Sequence, residues 1–296
     1  MSSILTLIAK PGHLTDAITT RVAHAVGAGP TRTLSALEAV DLACPTPPDP
    51  AAIAAALENA PVDSVVTLAE NRRKRLLIAD MDSTIVTGET LDELAAFAGT
   101  YGATFLDVGE RVVAITKRSM NGELDFAAAL RERVALLEGL PLDALEKTWA
   151  SVQLTPGART LVQTMRNNGA TTALVSGGFT WFTARVAALC GFHIHRANIL
   201  LDNGRTLTGQ VAEPILDREA KLTTLNELAA SSSLTLQDCL ATGDGANDLA
   251  MIRAAGLGVA YHAKPIVAAE ARAQIRHTDL RALLFIQGYT AAEFIE

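Results

Sequence analysis

Apolar positions follow two rhythms along the chain, changing near residue 75. Before that point short apolar runs alternate with helix-length segments. "ILTLIA" at 4–9 reads as a strand and "LTDAITTRVAHAVG" at 14–27 as a helix. "TLSALEAVDLAC" at 33–44 reads as one strand, "PTPPDP" at 45–50 as a breaker, "AAIAAALENA" at 51–60 as a helix and "DSVVTL" at 63–68 as a strand. This pattern predicts a small α+β domain over 1–70. The basic "NRRKR" at 71–75 predicts a boundary or a solvated connection, and it is too short for a nucleic-acid patch.

From "RLLIAD" at 75–80 onward the pattern is that of an α/β fold. The first strand leads into a mostly helical stretch over about 87–155, with helices at "DELAAFAG", "ERVVAITKRSM", "FAAALRERVALLEG" and "PLDALEKTWASV". Alternation then resumes: helix 157–169, strand 171–178, helix 180–191, a hairpin over 194–211 with Asn203-Gly204 at its turn, and helix 218–230. Strand "CLATGD", helix "NDLAMIRAA", strand "LGVAY" and helix "KPIVAAEARAQI" complete the set. Strands separated by helices predict a parallel sheet with helices on both faces, and the 87–155 stretch an inserted helical cap over the sheet's carboxyl edge.

Composition narrows the class. Hydrophobic residues at 49% and charged residues at 19% predict a sizeable core. A formal net charge of -7 leaves no basic footprint for nucleic acid and argues against anionic membranes. No apolar stretch reaches the roughly 18 residues that span a bilayer. The start "MSSILTLIAKPGH" reads as lacking a secretory signal. Cys44, Cys190 and Cys239 sit in no metal or redox spacing, which predicts buried reduced thiols and a cytoplasmic protein. His193 and His195 alternate along one strand and read as a solvated pair.

Three predicted strand ends carry polar groups: Asp80 and Asp82, Ser176 with Gly177 and Gly178, and Asp244 in "GDGAND". Lys221 lies on the helix between the last two. Taken singly each has a bland reading: a helix cap, a tight turn, an Asp-rich loop, a surface lysine. Together, and at the edge where open α/β sheets bind ligands, they mark a site.

These blocks resemble the signature of the haloacid dehalogenase-like phosphohydrolases: "DMDST", Ser176, Lys221 and "GDGAND", over about 76–275. Within that superfamily the finer resemblance is to the phosphoserine phosphatases, carried by Glu89, "SMNGELDFAAALRERV" and "VSGGFT". The resemblance implies a Rossmann-like parallel sheet core with the inserted cap. It also implies Mg²⁺-dependent hydrolysis of O-phosphoserine through an aspartyl-phosphate, the last step of serine biosynthesis. The first seventy residues lie outside it and are only reminiscent of a shortened, degenerate ACT-type amino-acid-binding unit.

The residue types suit that chemistry. A carboxylate attacking an anionic phosphate ester needs local charge neutralised, and Mg²⁺ is a hard cation that prefers oxygen ligands. Asp80 is the expected nucleophile and, with the Asp82 backbone carbonyl and Asp244, the expected metal ligand set. Asp82 is the expected general acid and then base. Ser176, the Gly177 amide and Lys221 are expected on the phosphate, with Asn247 and Asp248 shaping the same pocket. Glu89 and Arg133 would hold the substrate ammonium and carboxylate, and Met120 and Phe126 would cover it. Without the resemblance, "LRERV" around Arg133 reads as a solvated helix face. Two other functions are open: phosphoryl transfer from phosphoserine to an alcohol such as homoserine, which shares these residues, and amino-acid sensing by the N-terminal unit, against which as a sole function the intact Asp80, Asp82, Lys221 and Asp244 count. Oligomeric state is open, a homodimer included.

Overall fold

The structure, a computed structural model, describes residues 2–120 and 123–296, the side chain of Met120 excepted. The N-terminal segment forms β1 (Ser3–Ile8), α1 (Asp16–Ala25), β2 (Thr31–Ser35), β3 (Ala39–Cys44), α2 (Pro50–Leu57) and β4 (Asp63–Leu68). Its antiparallel sheet has the order β2-β3-β1-β4, a split βαβ arrangement. Each helix starts on a side-chain cap: Thr15 accepts from the Ile18 amide, and Asp49 from the Ala51 amide with Pro50 following. Period-2 alternation sends Leu5 and Leu7 to the helix-covered face, where they pack with Val22, Leu42 and Ile53. The opposite face places Ile8, Leu34, Ala39 and Val65 in the main core of the protein.

Two expectations for this region change. "TLSALEAVDLAC" is not one strand but β2 and β3 of a hairpin. Leu37 takes a positive φ of 55° at the turn and is 52% exposed, and Ser35 Oγ donates to Glu38 Oε2 at 2.6 Å. "NRRKR" is only partly solvated, with Asn71, Arg73 and Arg75 exposed but Arg72 and Lys74 turned inward. Arg72 donates to both Asp41 oxygens, at 2.6 and 2.9 Å, and to Thr6 Oγ1 at 3.0 Å, in a nearly buried ion pair that, with its bond to the Ile286 carbonyl, ties the N-terminal sheet to the C-terminal segment. The Lys74 ammonium donates to the Asn71 and Gln237 carbonyls. A buried charge persists only with such partners.

The second sheet starts at β5 (Leu76–Ala79). The cap follows, with α3 (Thr90–Ala98), α4 (Val108–Met120), α5 (Phe126–Ala135) and α6 (Asp143–Trp149). Then come α7 (Ala158–Asn167), β6 (Thr171–Phe179), α8 (Thr180–Cys190), β7 (Ile194–Asn198), β8 (Leu200–Asp202), β9 (Leu207–Val211) and α9 (Arg218–Ser231). The chain ends through β10 (Cys239–Gly243), α10 (Leu249–Ala254), β11 (Leu257–Tyr261), α11 (Pro265–Ala268), β12 (Ala273–Ile275) and α12 (Ala282–Phe285). The parallel order is β12-β11-β10-β5-β6-β7. β5 is a continuous apolar run because helices cover both faces.

β5 also marks the topological switch. The chain moves from it to β6 and β7 on one side and returns to β10, β11 and β12 on the other, which opens a crevice at the strand ends. The cap leaves and rejoins this crevice through two adjacent segments. Val86 bridges Leu154, the Thr87 amide donates to the Gln153 carbonyl, and the Thr155 amide donates to the Ile85 carbonyl.

Two C-terminal expectations are also corrected. The 194–211 hairpin is only β8–β9, since Ile194–Asn198 joins the parallel sheet as β7. The hairpin instead docks on the cap, with the Gly139 and Leu207 amides donating to the Leu207 and Leu140 carbonyls. The "KPIVAAEARAQI" helix stops after Ala268, and Ala273–Ile275 forms the edge strand β12. Asp63 of β4 holds the outgoing end of that strand by accepting from the Arg276 and Thr278 amides and from Thr278 Oγ1, at 2.7, 3.0 and 2.7 Å. The ladder with β11 and that tertiary anchor override the local helical pattern.

Candidate active site

The crevice is lined by the strand ends the motifs occupy. The Asp80 amide donates to the Thr242 carbonyl at 3.0 Å, extending the β5–β10 pairing one residue so that the Asp80 side chain emerges at the tip. Asp80 is 5% exposed. Lys221, fully buried on α9, donates to Asp80 Oδ1 at 2.5 Å and to Asp248 Oδ1 at 2.6 Å. Asp248 Oδ2 accepts from the Gly245 amide at 3.0 Å, so both its oxygens are engaged. Asp80 Oδ2 has no hydrogen bond to protein among the described residues. That oxygen is the one free to react.

After Asp80 the chain turns sharply through Met81–Ile85, with Ser83 at φ 54° and the Val86 amide returning to the Met81 carbonyl. The turn brings Asp82 back over the cleft. Its Oδ1 accepts from the Thr90 amide at 2.8 Å, and its Oδ2 accepts from Ser176 Oγ at 3.1 Å. Ser176 Oγ in turn accepts from the Gly178 amide at 2.8 Å. A side chain at 178 would press on Asp82 Oδ2 and Ser176 Oγ at 2.9 and 3.0 Å, so that position needs glycine. Gly177 lies under the Phe126 ring of the cap, where an added Cβ would meet the ring at 2.9 Å.

Charge in the crevice is unbalanced. Burial raises the Asp82 pKa to about 6 and Glu89 adds to this, against the hydrogen bonds from Thr90 and Ser176. Burial and the Asp248 charge hold Asp80 well above the usual carboxylate range. Asp244 is raised as well, first by burial. Burial alone would lower the Lys221 pKa, but Asp248 and Asp80 outweigh it and keep the ammonium charged. Among the described residues Lys221 is the ammonium hydrogen-bonded to this acid cluster, and it reaches Asp80 and Asp248.

Asp80, Asp244 and Asp248 each offer an oxygen within 4.8 Å of one another, an all-oxygen donor set that suits a hard divalent cation. With Asp248 committed to Lys221 and Gly245, Asp80 and Asp244 are the carboxylates left for it. Lys264 Nζ reaches Asp244 Oδ2 at 3.7 Å, a loose contact at the rim. Thr84 and Thr242, flanking the cleft, bury hydroxyls with no partner among the described residues.

The other sequence-expected residues are distributed as follows. Glu89 sits at the cleft mouth, where its Oε1 accepts from Ser83 Oγ at 2.7 Å and desolvation raises its pKa. Arg133 points from α5 without a carboxylate at ion-pair distance among the described residues. Its guanidinium makes only long contacts, to the Ala129 carbonyl at 3.3 Å and Thr116 Oγ1 at 3.4 Å. Burial lowers the Arg133 pKa, opposed by Asp92, Glu89 and Asp82. Asn247 is half-buried in the loop after Asp244. Met120 ends α4, and its side chain lies outside the described residues.

Asn198 has no counterpart in the sequence reading. Almost fully buried at the end of β7, it donates to the Gly177 carbonyl at 2.8 Å and accepts from the Leu216 amide at 2.7 Å. It thereby fixes the loop that carries the Gly177 amide. His193 and His195 are not a purely solvated pair either, since their rings reach Thr172 and Thr183 hydroxyls at 3.1 Å.

The raised Asp82 pKa has a measurable sign in metal-free protein. Its folded pKa of about 6 exceeds the ordinary carboxylate value, so ionisation above about pH 6 costs the folded state. Below about pH 4 the group is protonated in both states and the cost vanishes. In chelator, the melting temperature of Asp82→Asn minus that of the parent should therefore rise between about pH 4 and 6. A difference that stays flat across this window would show that Asp82 titrates normally.

Comparison with known proteins follows the same lines. The profile of the haloacid dehalogenase-like hydrolases matches residues 77–253. A phosphoserine phosphatase of Archaeoglobus fulgidus is 42% identical over 214 residues, covering 72% of this chain and 60% of that protein. One of Streptococcus thermophilus is 43% identical over 213 residues, covering 72% of this chain and 95% of that protein. The chain spans only 52% to 60% of the length of three of the curated relatives it matches. A solved structure of a phospho-aspartyl intermediate analogue of phosphoserine phosphatase superposes with a TM-score of 0.65 at 38% identity, covering 72% of this chain and 98% of that one. A probable phosphoserine phosphatase of Vibrio cholerae superposes with a TM-score of 0.79 at 31% identity over 99% of this chain and 88% of that one. Profile match, whole-length relative and strand-end acids agree: the chain belongs to the haloacid dehalogenase-like hydrolase family.

Proposed function

We propose that this protein is a Mg²⁺-dependent phosphoserine phosphatase, hydrolysing O-phosphoserine to serine and phosphate. The observation that carries the reading is the pairing of a free Asp80 Oδ2, fixed by Lys221, with Asp82 on the opposite wall. The names of the relatives point to the same substrate. The reading includes the division into a 1–70 unit and a 71–296 catalytic unit, and a cytoplasmic setting, which three buried free thiols support.

Asp80 Oδ2 forms a bond to phosphorus as the ester P–O bond breaks, and the Asp82 proton passes to the departing serine oxygen. Water then attacks phosphorus, gives its proton to Asp82, and the Asp80 carboxylate is released. With substrate bound, the Ser176 hydroxyl would turn its proton from Asp82 to a phosphate oxygen and the Gly177 amide would donate to another, with Asn198 holding that loop in place. Lys221 keeps Asp80 oriented and offsets negative charge. Asp80, Asp244 and the Asp82 backbone carbonyl would hold Mg²⁺, with Asp248 and Asn247 shaping the pocket. When bound, the cation neutralises charge between the carboxylate and the phosphoryl group.

The substrate's amino-acid end is assigned to the cap. Arg133 is a cap guanidinium with no carboxylate at ion-pair distance among the described residues, and Glu89 is an acid at the same mouth. Arg133 would grip the substrate carboxylate and Glu89 the ammonium, under Phe126 and Met120. Leaving a carboxylate unpaired in a closed site costs about 2–4 kcal/mol. Arg133→Ala should therefore lose roughly 30- to 1000-fold in kcat/KM on phosphoserine. Phosphoethanolamine, which has no carboxylate, should change little. Equal fractional losses on both substrates would reassign Arg133 to cap structure.

Phosphate release from a panel of phosphomonoesters, in Mg²⁺ and in chelator, tests the whole reading. Phosphoserine should be hydrolysed fastest, and only with the metal. Preference for another ester would overturn the substrate. Accumulation of phosphohomoserine when homoserine is added would show phosphoryl transfer instead.

A further inference from the structure

Two lysines face the acid cluster, and they are held in opposite ways. Lys221 is 1% exposed and donates at 2.5 and 2.6 Å to Asp80 and Asp248. Lys264 has no such bond among the described residues. Its Nζ stands 3.7 Å from Asp244 Oδ2, beyond hydrogen-bond length, and its side chain is 47% exposed. The first ammonium is a fixed part of the core. The second is held by charge alone and can leave for water.

The backbone puts Lys264 there. β11 runs parallel to β10, so its end reaches the same sheet edge as Asp244. His262, at φ 42°, turns the chain, and the Lys264 amide then donates to the Asp244 carbonyl at 3.1 Å. Pro265 follows as the first residue of α11, and the Lys264 carbonyl accepts from the Val267 and Ala268 amides. Lys264 thus stands where a helix start favours Ser, Thr, Asp or Asn, and its side chain makes no cap bond. Local stability gives no reason for a lysine at this position. The neighbouring acids do.

Asp244 is 7% exposed and accepts no hydrogen bond from another residue's side chain among the described residues, where Lys264 is its cation at ion-pair distance. Burial raises the carboxyl pKa of Asp244, Glu89 and Asp92, and the Lys264 charge opposes the rise in each. That charge therefore covers the cleft mouth from the Asp244 side to the Glu89 side. On the reading that Asp80 and Asp244 hold Mg²⁺, the ammonium and the metal claim the same carboxylate. Like charges beside one carboxylate repel, so each weakens the other's hold.

We propose that Lys264 is the resident counter-cation of Asp244 in the metal-free protein, that Mg²⁺ displaces it on binding, and that it thereby sets the metal affinity of the site. The test is calorimetric titration of Mg²⁺ into the full chain without substrate. Parent, Lys264→Arg, Lys264→Gln, Lys264→Glu and Asp244→Asn are compared.

A partly exposed charge acts weakly, so Lys264→Gln should bind Mg²⁺ about two- to tenfold more tightly than the parent, and Lys264→Glu more tightly still. Lys264→Arg keeps the charge and should stay closer to the parent than to Lys264→Gln. The gap between parent and Lys264→Gln should narrow as KCl rises from about 20 to about 500 mM, because salt screens an exposed charge. Asp244→Asn should bind more weakly than the parent. Equal or weaker binding in Lys264→Gln, or a gap that salt leaves unchanged, would overturn the role of Lys264, and weakened binding in Asp244→Asn would still leave the metal reading standing. A parent that binds no Mg²⁺ up to about 50 mM, or an Asp244→Asn variant that binds as the parent does, would overturn the metal reading and this proposal with it.

Discussion

Asp80→Asn should abolish phosphomonoester hydrolysis while leaving the fold intact, a loss of more than about 10⁴-fold in kcat. The amide is nearly isosteric with the carboxylate, and its oxygen still accepts from Lys221, which also remains paired with Asp248 at 2.6 Å. The buried ammonium is therefore not orphaned, and no cavity opens at the tip of β5. What disappears is the unencumbered Oδ2 nucleophile, together with one of the two carboxylates left for a cation. Crowding by Asp248 and burial make the parent carboxylate costly, so the substitution removes a strain as well as a function. The melting temperature in chelator should accordingly hold or rise, whereas the stabilisation that added Mg²⁺ confers on the parent should shrink. Activity within tenfold of the parent would remove Asp80 from the nucleophile's role. Full loss of activity with a collapsed melting transition would assign it a structural role instead.

The parts of this site legible in the sequence are those where a buried strand ends abruptly in a polar group. β5 and β10 stop at Asp80 and Asp244, β6 carries Ser176 in its last residues before it ends at Phe179, and a parallel sheet places these ends on one edge. Period and position sufficed there. Asn198 was not legible, because a lone asparagine at a strand end carries no pattern, and its role depends on Gly177 and Leu216 arriving from distant segments. The hairpin at Leu37 was hidden for a related reason: its turn is Ala36-Leu37-Glu38, none of them a usual turn former. β12 was read as helix because alanine favours helix locally, whereas the ladder with β11 makes it a strand and Asp63, more than two hundred positions away, anchors the residues that follow it. "NRRKR" looked solvated by composition, yet Arg72 and Lys74 find acceptors from other elements. Each miss is a tertiary partner that local sequence does not encode.

Asp82→Asn should lower kcat/KM for an alkyl phosphate such as phosphoserine by about 10²–10⁴-fold, and that for an aryl phosphate far less. The asymmetry follows from what leaves. A serine alkoxide is a poor leaving group unless protonated as the P–O bond breaks, whereas a nitrophenolate departs without help. Asp82 is suited to deliver that proton because its pKa stands at about 6, so that near neutrality it is neither fully protonated nor committed to staying charged. Burial is the first cause of that shift and Glu89 the second, so Glu89→Gln should lower the Asp82 pKa and move the alkaline limb of the kcat/KM profile, where the general acid loses its proton, to lower pH. The hydrogen bonds from the Thr90 amide and Ser176 Oγ hold the carboxyl in place and oppose the shift, which keeps it short of the point where Asp82 would cease to act as a base. In the second half of the cycle the same group must accept a proton from water. With the aryl substrate the variant should therefore show a burst of phenol release, about one equivalent per site, followed by slow turnover. Equal losses on both substrates with no burst would place Asp82 in positioning rather than proton transfer.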